Sequence, residues 1–204
     1  MNRRLHTPLA LAVLTLLHER SMHPYEMQQL MRERGHDQVI KLKGGSLYST
    51  IDRLAEAGLI EPQETTRAGR RPERTVYALT DAGRDDLLLW LRELLSEPVH
   101  EYPLFGAALA FLAALPADEV PTLLEWRAAM LEAQIAASES MLRSMENAGL
   151  PRLFGVESEY MNAMRRAEVD WVRAIANDIR SDRLRWPPEV LQHHEQIKKK
   201  EESV

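Results

Sequence analysis

Residues 67–74 read Arg-Ala-Gly-Arg-Arg-Pro-Glu-Arg, which sets Arg67, Arg70, Arg71 and Arg74 against a single glutamate. Upstream, Lys41 and Lys43 precede Gly44-Gly45, and the next nine residues include Ser46, Tyr48, Ser49, Thr50 and Arg53. Cations and short hydroxyls of this kind bond phosphate oxygens and base edges; they break no covalent bond. The chemistry on offer is therefore recognition. Bond-making chemistry has less to draw on. The absence of cysteine removes a thiolate nucleophile, thiolate zinc ligands and disulfides. No carboxylate pair, Ser/His/Asp arrangement or phosphate loop stands in a suitable setting. Gly44-Gly45 lacks both the spacing and the strand–helix context of a dinucleotide fingerprint. His193 and His194, with Glu189 and Glu195, are metal-ligand types, but adjacent histidines suit one ion poorly. His23 reads as a helix cap. No enzyme activity, metal or cofactor is expected.

The net charge of −5 argues at first against a polyanionic partner, but its distribution matters more. The first 98 residues hold 14 Lys and Arg against 14 Asp and Glu; the remaining 106 hold 12 against 17 and supply the whole excess. A neutral half with a basic tip precedes an acidic half, as in two modules with different partners. No apolar run approaches the roughly 18–20 residues of a membrane span. The opening Met-Asn-Arg-Arg and the apolar stretch after it lack a cleavage site and run into His18-Glu19-Arg20. They read as a first buried helix, and the protein as cytoplasmic.

Periodicity and punctuation then place the elements. Pro8 opens a helix to about His18, with Leu9, Val13, Leu16 and Leu17 inward. A second helix begins after His23 and stops at Gly35, with Tyr25, Leu30 and Met31 inward. A third runs from Gly45 or Ser46 to Ala57, with Gly58 as its left-handed C-terminal residue. Residues 59–66 and 74–79 are two strands of a hairpin whose long loop carries the arginines. Thr80 caps a fourth helix through residues 81–96. The two prolines in 97–103 mark a boundary: domain one is 1–98, domain two 99–188, and 189–204 is expected to be a disordered tail. Domain two reads as helices over 104–115, 118–147 and 156–182. The inward stripes are Leu124, Leu131, Ser138 and Met145, reinforced by Ile135 and Leu142, and then Met161, Met164, Trp171, Val172, Ile175 and Ile179, as for antiparallel helices.

Three helices, a hairpin and a fourth helix make a winged helix-turn-helix, followed here by an all-α domain; the fold class is mainly α. In that architecture the third helix enters the major groove. A helical wheel puts Leu47, Ile51 and Leu54 inward, leaves Ser46, Ser49, Asp52 and Arg53 outward, and sets Tyr48 and Thr50 on the flanks. A solvated face would carry more Glu and Lys; a groove-reading face must be compact and must not repel phosphate. The arginines of the wing and Lys41 and Lys43 stand where a duplex backbone would pass.

Three stretches carry a family resemblance: His-Pro-Tyr-Glu-Met-Gln-Gln-Leu-Met at 23–31, Gly-Gly-Ser-Leu-Tyr-Ser-Thr-Ile-Asp-Arg-Leu-Ala-Glu-Ala-Gly-Leu-Ile at 44–60, and Gly-Arg-Arg-Pro-Glu-Arg-Thr-Val-Tyr-Ala-Leu-Thr-Asp-Ala-Gly-Arg at 69–84. Over residues 8–95 the chain resembles the PadR-like transcriptional regulators of bacteria. Where that family usually has a proline before the second glycine and another after the tyrosine, this chain has Gly44 and Ser49. The resemblance implies a homodimer joined by its C-terminal helices on a roughly palindromic double-stranded DNA site, most commonly as a repressor. It also implies DNA contacts from Ser46, Tyr48, Thr50, Arg70 and Arg71; Lys43 and Arg53 follow from the wheel instead. Some members bind planar aromatic compounds, which makes Trp90 (placed on the outer half of the fourth helix), Trp126 and Trp171 candidates for an effector site. The rival reading is a winged-helix adaptor that binds protein and ignores DNA.

Overall fold

Thr7 starts the first helix. In this computed structural model, which describes residues 5–36, 40, 44–66 and 74–201, its hydroxyl accepts the Ala10 N–H at 3.2 Å and Pro8 takes the first turn. Helix α1 (Pro8–Glu19) buries Leu9, Val13, Leu16 and Leu17, and Leu14 besides. His23 caps α2 (Pro24–Glu33), with Nδ1 accepting the Tyr25 N–H at 3.0 Å. Its inner stripe is Pro24, Met27 and Met31, which corrects the expectation for Tyr25: that ring is 67% exposed. Residues 24, 27 and 31 recur at helical spacing, and Tyr25 lies about 100° round from the first of them. Helix α3 (Gly44–Glu56) buries Leu47, Ile51 and Leu54. Gly58, at φ 72°, ends it, and the Leu59 N–H reaches back to Leu54 O at 3.0 Å.

Strands β1 (Ile60–Thr66) and β2 (Arg74–Leu79) pair antiparallel, Ile60 opposite Leu79 and Thr66 opposite Arg74, with an irregularity between Pro62 and Glu64. Met22, between α1 and α2, exchanges both backbone bonds with Tyr77 at 3.1 Å and so ties the hairpin to the helical layer. The Thr80 hydroxyl lies 2.8 Å from Gly58 O and 3.0 Å from Leu59 O, donating into that pair of carbonyls. The same oxygen accepts the Gly83 N–H at 3.0 Å and caps α4 (Asp81–Ser96). The first turn of α4 thus rests on the chain that leaves α3. A Cβ at Gly83 would stand 1.9 Å from Leu59 O, which is the reason for glycine there.

Gly83, Leu87 and Trp90 form the inner stripe of α4. Trp90 is 6% exposed and belongs to the core with α1, α2 and α3. Its placement on an outer half is corrected accordingly.

Two compact units divide the chain, Met1–Glu101 and Tyr102–Val204. The second contains α5 (Leu104–Ala110), a 3-10 turn at Leu112–Ala114, α6 (Val120–Asn147), α7 (Val156–Arg180) and α8 (Pro188–Glu201). The stretch expected as one helix over 104–115 is broken at Phe111. The tail expected to be disordered from 189 is helical to Glu201, and Val190 packs on the second core. Polar composition concealed that single apolar anchor.

Helices α6 and α7 run antiparallel around Leu124, Ala128, Leu131 and Ile135 of α6 and Val169, Val172 and Ala176 of α7. Asn162 is buried among them; its amide donates to Ser138 Oγ at 3.0 Å, and its oxygen accepts from Arg165 at 3.1 Å. Along one edge Glu125, Glu132 and Glu139 pair with Arg180, Arg173 and Arg166. The inward stripe expected on α7 is corrected at two places: Met164 and Trp171 are 49% and 43% exposed, and Asn162 and Val169 take the inner positions. Trp186 closes the unit, its indole N–H donating to Leu115 O at 2.9 Å. Among the described residues no helix is long and apolar enough to cross a membrane.

Candidate nucleic-acid interface

Helix α3 has no acidic residue in its first turn and begins with two glycines. Behind it, the apolar stripe anchors the helix on α1 and α2. In front, Ser49, Asp52 and Arg53 are exposed, Tyr48 is 53% exposed, and Ser46 is half-buried. Thr50 differs from the expectation of a DNA contact: it is 3% exposed, and its hydroxyl donates to Ser46 O at 2.7 Å. Its β-branch packs inward while the hydroxyl satisfies itself on the preceding turn.

Two further bonds shape the face. The Ser49 hydroxyl donates to Ser46 O at 3.1 Å. Arg53 folds back along the helix, Nε to Ser49 O at 3.1 Å and Nη2 to Thr50 Oγ1 at 3.2 Å. The guanidinium is thereby oriented over the outward face before any partner arrives. Asp52 and, a turn later, Glu56 are the carboxylates exposed on that side of the helix. The Asp52 charge also reaches the hairpin: burial first, and that carboxylate second, push the Tyr77 phenol above its ordinary range.

Beside α3, the turn from α1 into α2 is fastened by charge. Arg34 binds Glu19 through its two terminal guanidinium nitrogens, and Arg20 binds Glu26. The hydrogen bond from Arg34 holds the Glu19 carboxyl below its ordinary value, and that from Arg20 does the same for Glu26. Tyr25 stands exposed on the first turn of α2, a further aromatic hydroxyl that an inward reading of the helix missed. Of the remaining candidates, Lys41, Lys43, Arg67, Arg70 and Arg71 lie outside the described residues. Arg74 is placed as backbone, opposite Thr66 in β2.

A compact hydroxyl-rich helix held forward of a three-helix core, with a hairpin tied beside it, is an arrangement for groove reading. Residues 13–88 match the family model for the transcriptional regulator PadR-like family. The first unit resembles that family over these residues. Members of that family are transcriptional regulators that bind DNA. Solved structures share the fold of this chain. Bacillus subtilis PadR in complex with operator DNA is 21% identical, with a TM-score of 0.66 over 83% of this chain and 97% of that one. The same protein in complex with p-coumaric acid is 19% identical, with a TM-score of 0.69 over 85% and 99%. The Vibrio cholerae virulence activator AphA is 19% identical, with a TM-score of 0.64 over 85% and 98%. No curated protein matches the sequence.

The tryptophans expected to share an effector site divide between the two units. Trp90 is enclosed in the first, with His6 stacked on it at 4.2 Å. In the second, Trp126 is 66% exposed on α6, and Trp171 meets the Phe105 ring edge-on at 6.3 Å. Arg127 lies 3.6 Å over the Phe105 ring and is ion-paired with Glu168. This arginine was not anticipated; the only sequence signal was a lone cation beside Trp126. Among the described residues, no three His, Asp or Glu side chains gather as a metal site would require.

Proposed function

We propose that this chain is a sequence-specific transcriptional regulator that binds a roughly palindromic operator as a homodimer, acts as a repressor, and is released by a small aromatic ligand. The observation that carries the reading is the outward face of α3: Ser46, Ser49 and Tyr48 beside a guanidinium already oriented by Ser49 O and Thr50 Oγ1. Short hydroxyls let the helix approach base edges, and Arg53 supplies a cation able to bond guanine or phosphate. Lys41, Lys43, Arg67, Arg70, Arg71 and Arg74 enter on the sequence argument as backbone contacts. Thr50 is reassigned from contact to support.

The dimer is supported by apolar surface on the second unit. Trp126 lies on the face of α6 opposite its buried stripe with Met130 and Met141 along one flank, and Tyr160, Met164 and Trp171 follow one another along α7, all exposed. Such faces call for a partner helix, and a second copy offers the same face. For the ligand, Phe105, Trp171 and Arg127 present aromatic edges beside a cation, which suits a flat ring bearing a carboxylate; p-coumaric acid in complex with Bacillus subtilis PadR supports that chemistry.

The test is to sequence the DNA that co-purifies with the tagged protein and to measure its affinity across salt. The logarithm of affinity should fall by about 0.9 per phosphate neutralised for each unit of log salt. A flat response, or co-purified DNA without a shared motif, would refute the reading.

A further inference from the structure

Trp90 has one face in the core and the other covered by a single imidazole. The His6 ring lies 4.2 Å from the indole, centroid to centroid, with the planes 12° apart. Its Nε2 is 3.0 Å from Asp86 Oδ2. Asp86 and Trp90 stand four residues apart on α4, so the carboxylate and the flat indole share one helix face a turn apart. The His6 side chain keeps 10% of its surface exposed and Asp86 26%. If the purpose were only to cap an apolar core, an aliphatic residue would serve better and would need no carboxylate. The pair of groups selects instead for a ring that is flat on one side and carries N–H at its edge.

We propose that Trp90 and Asp86 form a binding slot for a flat nitrogen heterocycle or amidine bearing an N–H, occupied in the resting chain by its own His6. The imidazole stands two residues before Pro8, the first residue of α1, and so it is a tethered ligand rather than part of an element. A free molecule of the same class competes with it, and exchange lifts the His6 ring off α4. The slot differs from the Phe105–Trp171–Arg127 cluster in its unit and in the sign of the charge it presents. It does not depend on the DNA reading above.

Imidazole is the probe, and the full chain labelled with 5-fluorotryptophan is the reporter. The chain has four tryptophans, and the Trp90 fluorine resonance is assigned by its loss in Trp90→Phe. In His6→Gly that resonance should move, and added imidazole should return it saturably towards its original position. A short tether supplies an effective concentration on the order of millimolar, so the unaltered chain should need at least about tenfold more imidazole. Asp86→Ala in the His6→Gly chain should abolish saturation, and benzoate should have no effect. His6→Phe should hold the resonance near its original position and ignore imidazole. If His6→Gly does not fold, His6→Gln, which keeps an N–H but has no ring, carries the same titration. The proposal is overturned by a non-saturable response in the glycine or glutamine variant, by saturation that survives Asp86→Ala, or by equal imidazole demand in the unaltered chain.

Discussion

Replacing Gly83 by alanine adds one methyl group where α4 rests on the end of α3. The new Cβ would lie 1.9 Å from Leu59 O and 2.9 Å from both Leu59 C and Leu79 Cδ1. To restore a separation of 3.0 Å, the helix or the Leu59 peptide must move by more than 1 Å. That peptide is not free to move, because Leu59 O accepts the Thr80 N–H at 3.1 Å and shares the Thr80 hydroxyl. Giving up these bonds costs about 1 kcal/mol each, and overpacking adds about 1–3 kcal/mol. The better helix propensity of alanine returns about 1 kcal/mol. The net loss is about 2–4 kcal/mol. For a domain of this size, about 2 kcal/mol lowers the melting temperature by roughly 8–16 °C. Trp90 is the only tryptophan among residues 1–101, so its signal isolates the first unit. Ala82→Gly, at an exposed position one residue earlier, controls for propensity and should cost only about 1 kcal/mol. If Gly83→Ala melts at or above the parent temperature, the close approach described here is wrong.

Three further outcomes follow from the same structure. Thr50→Val should cost about 1 kcal/mol in stability and loosen operator discrimination, because Arg53 loses the hydroxyl that orients it; Thr50→Ser should restore discrimination in a competition assay. Asn162→Ala should destabilise the second unit by about 1–3 kcal/mol, whereas Asn162→Leu combined with Ser138→Ala should be nearly neutral by far-UV circular dichroism melts, since no buried polar group is then stranded. The raised Tyr77 phenol predicts an alkaline effect: its share of stability is complete below about pH 10, the unfolded value, and is lost as pH rises through the higher folded value. Tyr77→Phe should flatten that slope, while Asp52→Asn should leave most of it, because burial is the larger cause.

How much of this was legible in the sequence depended on whether one residue type could satisfy a position. Gly58, Thr80 and the Leu47–Ile51–Leu54 stripe were legible because a left-handed turn, a cap and a buried face each admit few residues. Tyr25 was not: an aromatic at the start of a helix reads as core, and only the packing of Met27 and Met31 turns it outward. The stripe on α7 failed for a related reason. Met164 and Trp171 repeat at seven residues, as do Asn162 and Val169, so period alone cannot say which line faces α6. The partners decide it, through Ser138 and the glutamate column. That column was itself visible, since glutamates and arginines recur every seven residues on two successive segments, but its meaning emerges only once the helices are antiparallel. For Thr50 and Trp90 the difficulty was chemical ambiguity. A threonine can turn a methyl in or a hydroxyl out, and a tryptophan flanked by Leu89 and Leu91 fits either side of α4.

The pairing of α6 with α7 resembles a ruler whose marks are all alike. Because both columns step by seven, sliding α7 one heptad would rebuild two of the three rungs, Glu125 with Arg173 and Glu132 with Arg166. The charges therefore fix the direction of the hairpin and leave its phase open, and exposed pairs are worth too little to choose between neighbouring marks. Ser138 and Asn162 supply the zero. After a slide of seven in either direction Asn162 would come opposite Leu131 or Met145 and its amide would be buried without a partner, a larger penalty than any lost rung. The columns carry a second instruction. Two α6 helices brought together along this edge would set carboxylate against carboxylate, so in the proposed dimer a second copy would be steered away from it, towards the face that carries Trp126 and Met130.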